Sequence, residues 1–503
     1  MAGKLVADMA NRAFRVRAVF MDVDPYGGRA EAQTPGAAEL LKAASERISR
    51  LYAHKLKIAL FGRDSAKVLA GMPDDVRALC DGMQAADNRA ATPAHDLAAV
   101  IRRTLVDLEV PAGSALVVSG RPDLLSAAAR IGAVTVALGL CADGAKIPTA
   151  DYTAADPAEL ETVVRLGLPL SGGKLPNDLL ARHFGRIAID DPALLVRPGV
   201  GEDTAAVDIS GEEVLVIKSD PITFASDAIA RYAVLVNAND IATAGAVPRW
   251  LLTTLIFPSG STPSEILQVM DELQAVSRRF QITLCGGHTE ISDAVRRPVI
   301  TGMLAGTVMR RDLVDKARMR PGDRIFITKA LAVEGTALIA REFGAKLRQL
   351  GMPAAEIDRC RDFLEHLSIL SEAYAASTLK GVSAMHDVTE GGLATALTEL
   401  SWAGGCRLEV DMDAIPVFAE TRRVCDLLGI DPLGLIGSGS LLICCRPADG
   451  DRLVERVRKT GAAITPIGKA LEEGHGVRAL QNSRTVAWPQ FEADEITRLY
   501  GGA

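Results

Sequence analysis

The chain has 503 residues, of which 48% are hydrophobic, 24% charged and only 4% aromatic, and its formal net charge is −7. That length exceeds one ordinary core and predicts about three domains, while the acidic balance and the lack of a dense Lys/Arg block exclude general nucleic-acid binding. No apolar stretch is long enough to span a bilayer, and the start MAGKLVADMANRAFRVR lacks a signal-peptide core. The eight scattered cysteines form no CxxC pair, so reduced thiols in a cytoplasmic protein are expected.

From the N-terminus, AVFMDVD (18–24) reads as a strand and 35–55 as a helix, with a second strand over KIALFG (57–62). A helix over 95–108, the strand SALVVSG (114–120), a further helix and the strand AVTVALG (133–139) follow. Strands alternating with helices predict a parallel, Rossmann-like sheet. Within MDVDP, Asp22 and Asp24 stand two apart at the carboxyl end of the first strand and point the same way, as a nucleophile and its acid/base partner would.

That motif and sheet pattern resemble the haloacid-dehalogenase-like (HAD) phosphatases over residues 1–145. The other family positions depart: Gly62 stands for a Ser/Thr, Thr92 for a lysine, and Arg121 and Leu125 for the acids of the magnesium loop. Phosphoaspartate chemistry needs those acids to hold Mg²⁺, so Asp22 and Asp24 are read as a vestigial phosphatase site in a degenerate domain. Asp123 would be the substitute for a missing acid, at shifted register. Residues 146–170, polar and weakly periodic, are expected to be a linker.

Beyond SGGKLP (171–176) the acid-bearing motifs begin. Glu202 and Asp203 sit in a glycine-rich turn (198–208), and Asp220 ends the strand VLVIKSD. A helix carries Asn237, Asn239 and Asp240 before a tight turn at Gly245. CGGHTE (285–290) reads as a turn after the strand FQITL, and MHDVTEGGL (385–393) brings Asp387 and the pair Gly391–Gly392. If the fold gathers these carboxylates, they form an oxygen-rich site suited to Mg²⁺ and phosphates, and the glycine pairs supply backbone donors. Each motif alone has a plainer reading. Asp220 can shape a turn before proline, Asp387 and Glu390 can cap a helix, and His288 can be an ordinary hydrogen-bonded histidine. The spacing His288-x-Glu290 is not that of a zinc hydrolase.

The ordered set is more specific. GxGEDxAxV, SxD, NxxDIAxxGAxPxW, GGHTE, EGTA (334–337), HDVTEGGL and GSGSLLI (437–443) together resemble the aminoimidazole-ribonucleotide-synthetase-like superfamily over about residues 171–475. The resemblance implies two α/β domains (171–308 and 309–490, with 491–503 as a tail), and a homodimer whose N-terminal sheets pair around an ATP–Mg²⁺ cleft. It implies Asp203, Asp220 and Asp240 as magnesium carboxylates, with Asn237 on the same wall. Gly286, Gly287 and Thr289 would lie along the nucleotide, with His288 or Glu290 positioning a water or substrate group. Asp387 would face the phosphoryl acceptor, Lys174 would close over the phosphates, and Gly391 and Gly392 would border them.

The expected function is ATP- and Mg²⁺-dependent phosphorylation or activation of a small metabolite. The alternatives are a nucleotide-binding scaffold and a phosphatase–synthetase bifunctional enzyme. The superfamily's thiocarboxamide dehydration uses a C-terminal cysteine, whereas this chain reads EITRLYGGA at its end and its last cysteine is Cys445. The selenophosphate reaction uses a Cys or selenocysteine that SGGKLP lacks. Neither reaction is expected, and the acceptor is open.

Overall fold

In the computed structural model, which describes residues 16–22, 56–61, 82–83, 94–138, 150–154, 157–168, 176–184, 192, 194–196, 199–209, 211–261 and 263–500, the chain divides into two units, Met1–Leu170 and Ser171–Ala503. The first unit is built on β1 (Ala18–Asp22), β2 (Lys57–Phe61), β3 (Gly82–Met83), β4 (Ala115–Ser119), β5 (Val134–Leu138) and β6 (Tyr152–Ala154). They pair in the order β3-β2-β1-β4-β5-β6, every neighbour parallel. This is the order of doubly wound α/β sheets, reversing between β1 and β4.

The strands read as unbroken apolar runs because both faces are covered. Ala18 and Phe20 of β1 enter one cluster with α1 (Ala94–Asp107) and α2 (Pro122–Arg130). Val19 enters another with Leu160, Val163 and Val164 of α3 (Pro157–Leu166). The stretch expected as a linker therefore belongs to this unit: β6 extends the sheet and α3 covers its second face. Its stripe of three aliphatic residues at i, i+3 and i+4 is narrow enough to be lost in a polar composition. The expected helix over 35–55 lies outside the described residues.

The second unit opens with α4 (Asn177–Phe184) and then holds β7 (Leu194–Val196), β8 (Ala205–Val207), β9 (Glu213–Ile222), α5 (Ile229–Thr243), β10 (Val247–Pro258), α6 (Pro263–Arg279), β11 (Thr283–Ser292) and β12 (Val299–Met309). These strands form one sheet ordered β11-β10-β12-β9-β8-β7. A second sheet, ordered β14-β16-β13-β17-β15-β18-β19, is made of β13 (Arg324–Thr328), β14 (Val382–Asp387), β15 (Cys406–Asp411), β16 (Leu441–Cys445), β17 (Ile464–Glu473), β18 (Val477–Gln481) and β19 (Arg484–Val486), with α7 (Val333–Glu342) and α8 (Gly392–Gly404) among the helices that accompany it.

Helix α5 is the pivot. It packs on β9, β10, β12 and β14, and every residue but Arg231 is buried, the polar Asn237, Asn239 and Asp240 included. The first sheet's other face stays open: Trp250, Leu252 and Met303 are each more than 40% exposed, and Leu252 pairs directly with Met303.

The segment from 491, expected as a tail, packs onto the second unit. Ile496 is fully buried, and Asp494 Oδ2 accepts the Gly391 N–H at 2.7 Å. Further anchors are Glu495, which accepts the Asp431 N–H at 2.9 Å, and Tyr500, which donates to Phe224 O at 2.7 Å; scattered single contacts of this kind make no periodic pattern. Among the described residues, no helix is long and apolar enough to cross a membrane.

Candidate active site

Asp203 lies in the loop before β8. That loop packs against α8 only because residue 201 is glycine: its φ is +77°, and a Cβ there would stand 2.3 Å from the Glu399 carbonyl oxygen. In β9, Lys218 and Asp220 stand two apart and so face the same side, toward α5. Asn237 joins that helix to the strand: its Oδ1 accepts the Asp220 N–H at 2.9 Å, and its Nδ2 donates to the carbonyls of Ala233 at 2.9 Å and Asp220 at 3.3 Å. Asn239 grips the other half of the unit, donating to Leu367 O at 2.9 Å and accepting from Ile369 N–H at 3.0 Å. Asp240, its side chain 2% exposed, faces Lys218 with Oδ2 at 3.2 Å from Nζ, and the same ammonium is 3.6 Å from Asp220 Oδ2.

Strand β14 delivers His386 and Asp387, both fully buried. Nδ1 of His386 is 3.4 Å from Asp203 Oδ2 and 3.9 Å from Asp387 Oδ1, and its Nε2 is 3.4 Å from Glu399 Oε2. Lys316, in the connection between the sheets, donates to Asp203 Oδ2 at 2.9 Å and lies 3.9 Å from Glu202. The fold thus gathers Asp203, Asp220, Asp240 and Asp387 around the buried Lys316 and His386 and the half-buried Lys218.

Burial alone would raise the Asp203 carboxyl, but His386, Lys316 and Lys218 outweigh it and hold the group below the usual carboxylate range. Burial pushes Asp240 well up, with Lys218 opposing it. Burial works against the charge on both lysines, yet the surrounding carboxylates win and keep them protonated. Asp203, His386 and Asp387 each present one ligating atom, all within 4.8 Å of one another. A nitrogen and two carboxylate oxygens in an acid-rich pocket fit a divalent cation. Asp220 and Asp240 instead share Lys218.

Several expected site residues stand elsewhere. CGGHTE is not a turn: Gly286 to Glu290 lie inside β11, and the helix before it runs to Arg279. Gly287 serves close strand packing, since a Cβ there would be 2.0 Å from the Thr253 carbonyl oxygen, while Gly286 takes a φ of +136° in open space. Asp220 pairs with Gly302, which pairs with Thr253, which pairs with Gly287. The motif is therefore three strands from Asp220, or roughly 14 Å at the usual strand spacing. His288 and Glu290 have side chains 68% and 58% exposed and 3.8 Å apart, while Thr289 is half-buried. The N–H groups of Gly391 and Gly392 bond Asp494 and Thr389 O, so the protein's own groups take the donors expected to meet phosphate. Asp387 ends β14 and caps no helix, because α8 starts from Gly391 without a side-chain cap. Lys174, Asp24, Gly62 and Thr92 lie outside the described residues. Asp22 ends β1 and accepts a hydrogen bond from Ser119 at the end of β4, while Asp123 is held by the Arg121 guanidinium at 2.8 Å.

His386, Glu399, Lys218 and Lys316 were absent from the expected set. Adjacency to Asp387 and the i, i+2 relation to Asp220 are the signals that mark His386 and Lys218. For Lys316 and Glu399 the sequence carries none.

Residues 201–308 match the family model described as AIR synthase related protein, N-terminal domain, and residues 320–481 match its C-terminal domain. The chain is 28% identical over 316 residues to carbamoyl dehydratase HypE of Cupriavidus necator, covering 59% of this chain and 86% of that protein. It is 26% identical over 313 residues to HypE of Rhodobacter capsulatus, covering 61% and 88%. A solved structure of E. coli HypE aligns at 22% identity and a TM-score of 0.48, covering 63% of this chain and 96% of that one. With both domain models matched in order and together spanning more than half of its length, the chain belongs to the AIR synthase related family.

Proposed function

We propose that the second unit is an ATP-dependent enzyme that transfers the γ-phosphoryl group to a small metabolite, or uses it to activate one, as the family resemblance implies. The observation that carries this reading is the convergence of Asp203, Asp220, Asp240 and Asp387, drawn from four separate elements, on one buried acid cluster. Asp203 and Asp387, with His386, would hold Mg²⁺, which when bound neutralises phosphate charge. Lys218 and Lys316 fix the carboxylates in place, so the site is preorganised before nucleotide arrives. Asn237 and Asn239 set the positions of β9 and the 367–369 segment against α5. Phosphoryl transfer asks little covalent chemistry of a protein and much positioning, which suits a site rich in clamps.

The exposed apolar strip of Trp250, Leu252 and Met303 supports a homodimer formed through this sheet. His288 and Glu290 on β11 would then meet the partner's cleft rather than their own. The relatives carry the name carbamoyl dehydratase, which favours activation of an amide-type oxygen over simple phosphorylation. The N-terminal unit is read as a degenerate HAD-like domain without phosphatase turnover, since Asp123 is tied to Arg121. The separating experiment incubates the protein with γ-labelled ATP and candidate acceptors. Label on the acceptor marks a kinase, acceptor-dependent release of phosphate marks an activating synthetase, and neither with any acceptor argues for a scaffold.

A further inference from the structure

Lys218 stands where the expected metal set needs an ion. Its Nζ is 3.2 Å from Asp240 Oδ2 and 3.6 Å from Asp220 Oδ2. A directly bound Mg²⁺ would draw carboxylate oxygens to about 2.0–2.1 Å from one centre. An ammonium 3.2 and 3.6 Å from the two carboxylates fills the same gap with one positive charge in place of two.

The lysine is directed there by the fold. Strand alternation places 218 and 220 on the face toward α5, Asn237 ties that strand to the helix through Asp220, and the Lys218 side chain is only 19% exposed. The Asp203–His386–Asp387 corner is different in kind: its three ligating atoms converge within 4.8 Å.

We propose that Lys218 is a built-in cation, its ammonium permanently taking the place of a divalent ion between Asp220 and Asp240, so that each acid cluster takes a single divalent cation, at Asp203, His386 and Asp387. This rests on reading the cluster as a cation site for nucleotide chemistry. The device trades an exchangeable ion for a covalently tethered charge, so the Asp220–Asp240 side keeps one compensating positive charge whatever the metal supply.

The test is an Mn²⁺ titration of the full chain without nucleotide, followed by electron paramagnetic resonance. Wild type is expected to bind one ion per chain at the cluster. Lys218→Ala and Lys218→Gln are each expected to bind two, with the second ion lost when Asp240→Asn is added. Lys218→Arg keeps the wild-type count. If Lys218→Ala is too unstable alone, its melting temperature is expected to rise with Mn²⁺ by several degrees more than that of wild type, and Lys218→Gln supplies the stoichiometry. Two ions in wild type, or no extra ion in either neutral variant, would overturn the proposal. ATP binding to wild type is measured separately. A variant that gains an ion while wild type ignores ATP leaves Lys218 its role and removes the nucleotide reading, whereas ATP binding with unchanged ion counts does the reverse.

Discussion

Asn237 holds both main-chain polar groups of Asp220, accepting its N–H at 2.9 Å and donating to its carbonyl at 3.3 Å. An acid of the cluster is thus placed by an amide whose two N–H donors are both taken, because the same Nδ2 also bonds Ala233 O. Asn237 thereby positions Asp220 on the wall of the cluster. Asn237→Ala orphans a buried N–H, at a cost of about 1–3 kcal/mol, and lets β9 shift against α5. A lower unfolding midpoint together with weaker ATP binding is expected. Unchanged stability would show that the clamp does not hold the strand.

Lys316 and Asp203 are a second pair, both largely buried and 2.9 Å apart. Removing one partner strands a charge, and such changes cost roughly 3–5 kcal/mol. Lys316→Met is expected to lower stability by that order, and adding Asp203→Asn to recover part of it. A double-mutant cycle from urea unfolding measures the coupling. Additive losses would mean that the two side chains do not interact.

How far the sequence could be read depended on what each segment buries. The core strands of the first unit were legible because both of their faces are covered, leaving unbroken runs such as ALVVS in β4. The acids were legible through the order of their motifs. CGGHTE misled because a glycine pair signals a turn, whereas here Gly287 lets β11 approach Thr253 O. Lys316 was invisible because a lysine gives no sign of being buried until the fold brings carboxylates to it, and Lys218 was marked only by standing two residues before Asp220. The 152–166 strand and helix, and the docking of Asp494, depend on partners distant in sequence.

Glu334, in the first turn of α7, supplies a pH dependence. Burial, with Glu390 and Asp494 nearby, raises its carboxyl to about 8 against hydrogen bonds from Ser438. In the unfolded chain it titrates near ~4.3. Between those values the folded state holds a proton that the unfolded state has released, so this group's stability contribution is complete below the lower value and falls as pH rises toward the upper one. The slope is about 1.4 kcal/mol per pH unit. Glu334→Gln is expected to flatten the decline, seen in urea unfolding of the second unit from pH 5 to pH 8. An identical slope would mean that Glu334 ionises normally.

The open sheet face predicts assembly. Leu252→Lys and Met303→Glu, on paired positions, put charge on an apolar strip and are expected to convert a dimer to monomers in sedimentation analysis, with helix content unchanged. A wild type that sediments as a monomer contradicts the proposed interface.

The account turns on the acid cluster being the ATP site. Calorimetric titration of ATP with Mg²⁺ into the full chain, wild type beside Asp240→Asn, tests it most directly. The account predicts metal-dependent binding to wild type and at least a tenfold loss, about 1.4 kcal/mol, in the variant. Equal affinity in the two proteins would place the nucleotide elsewhere, and no binding by folded wild type would contradict the ATP reading itself.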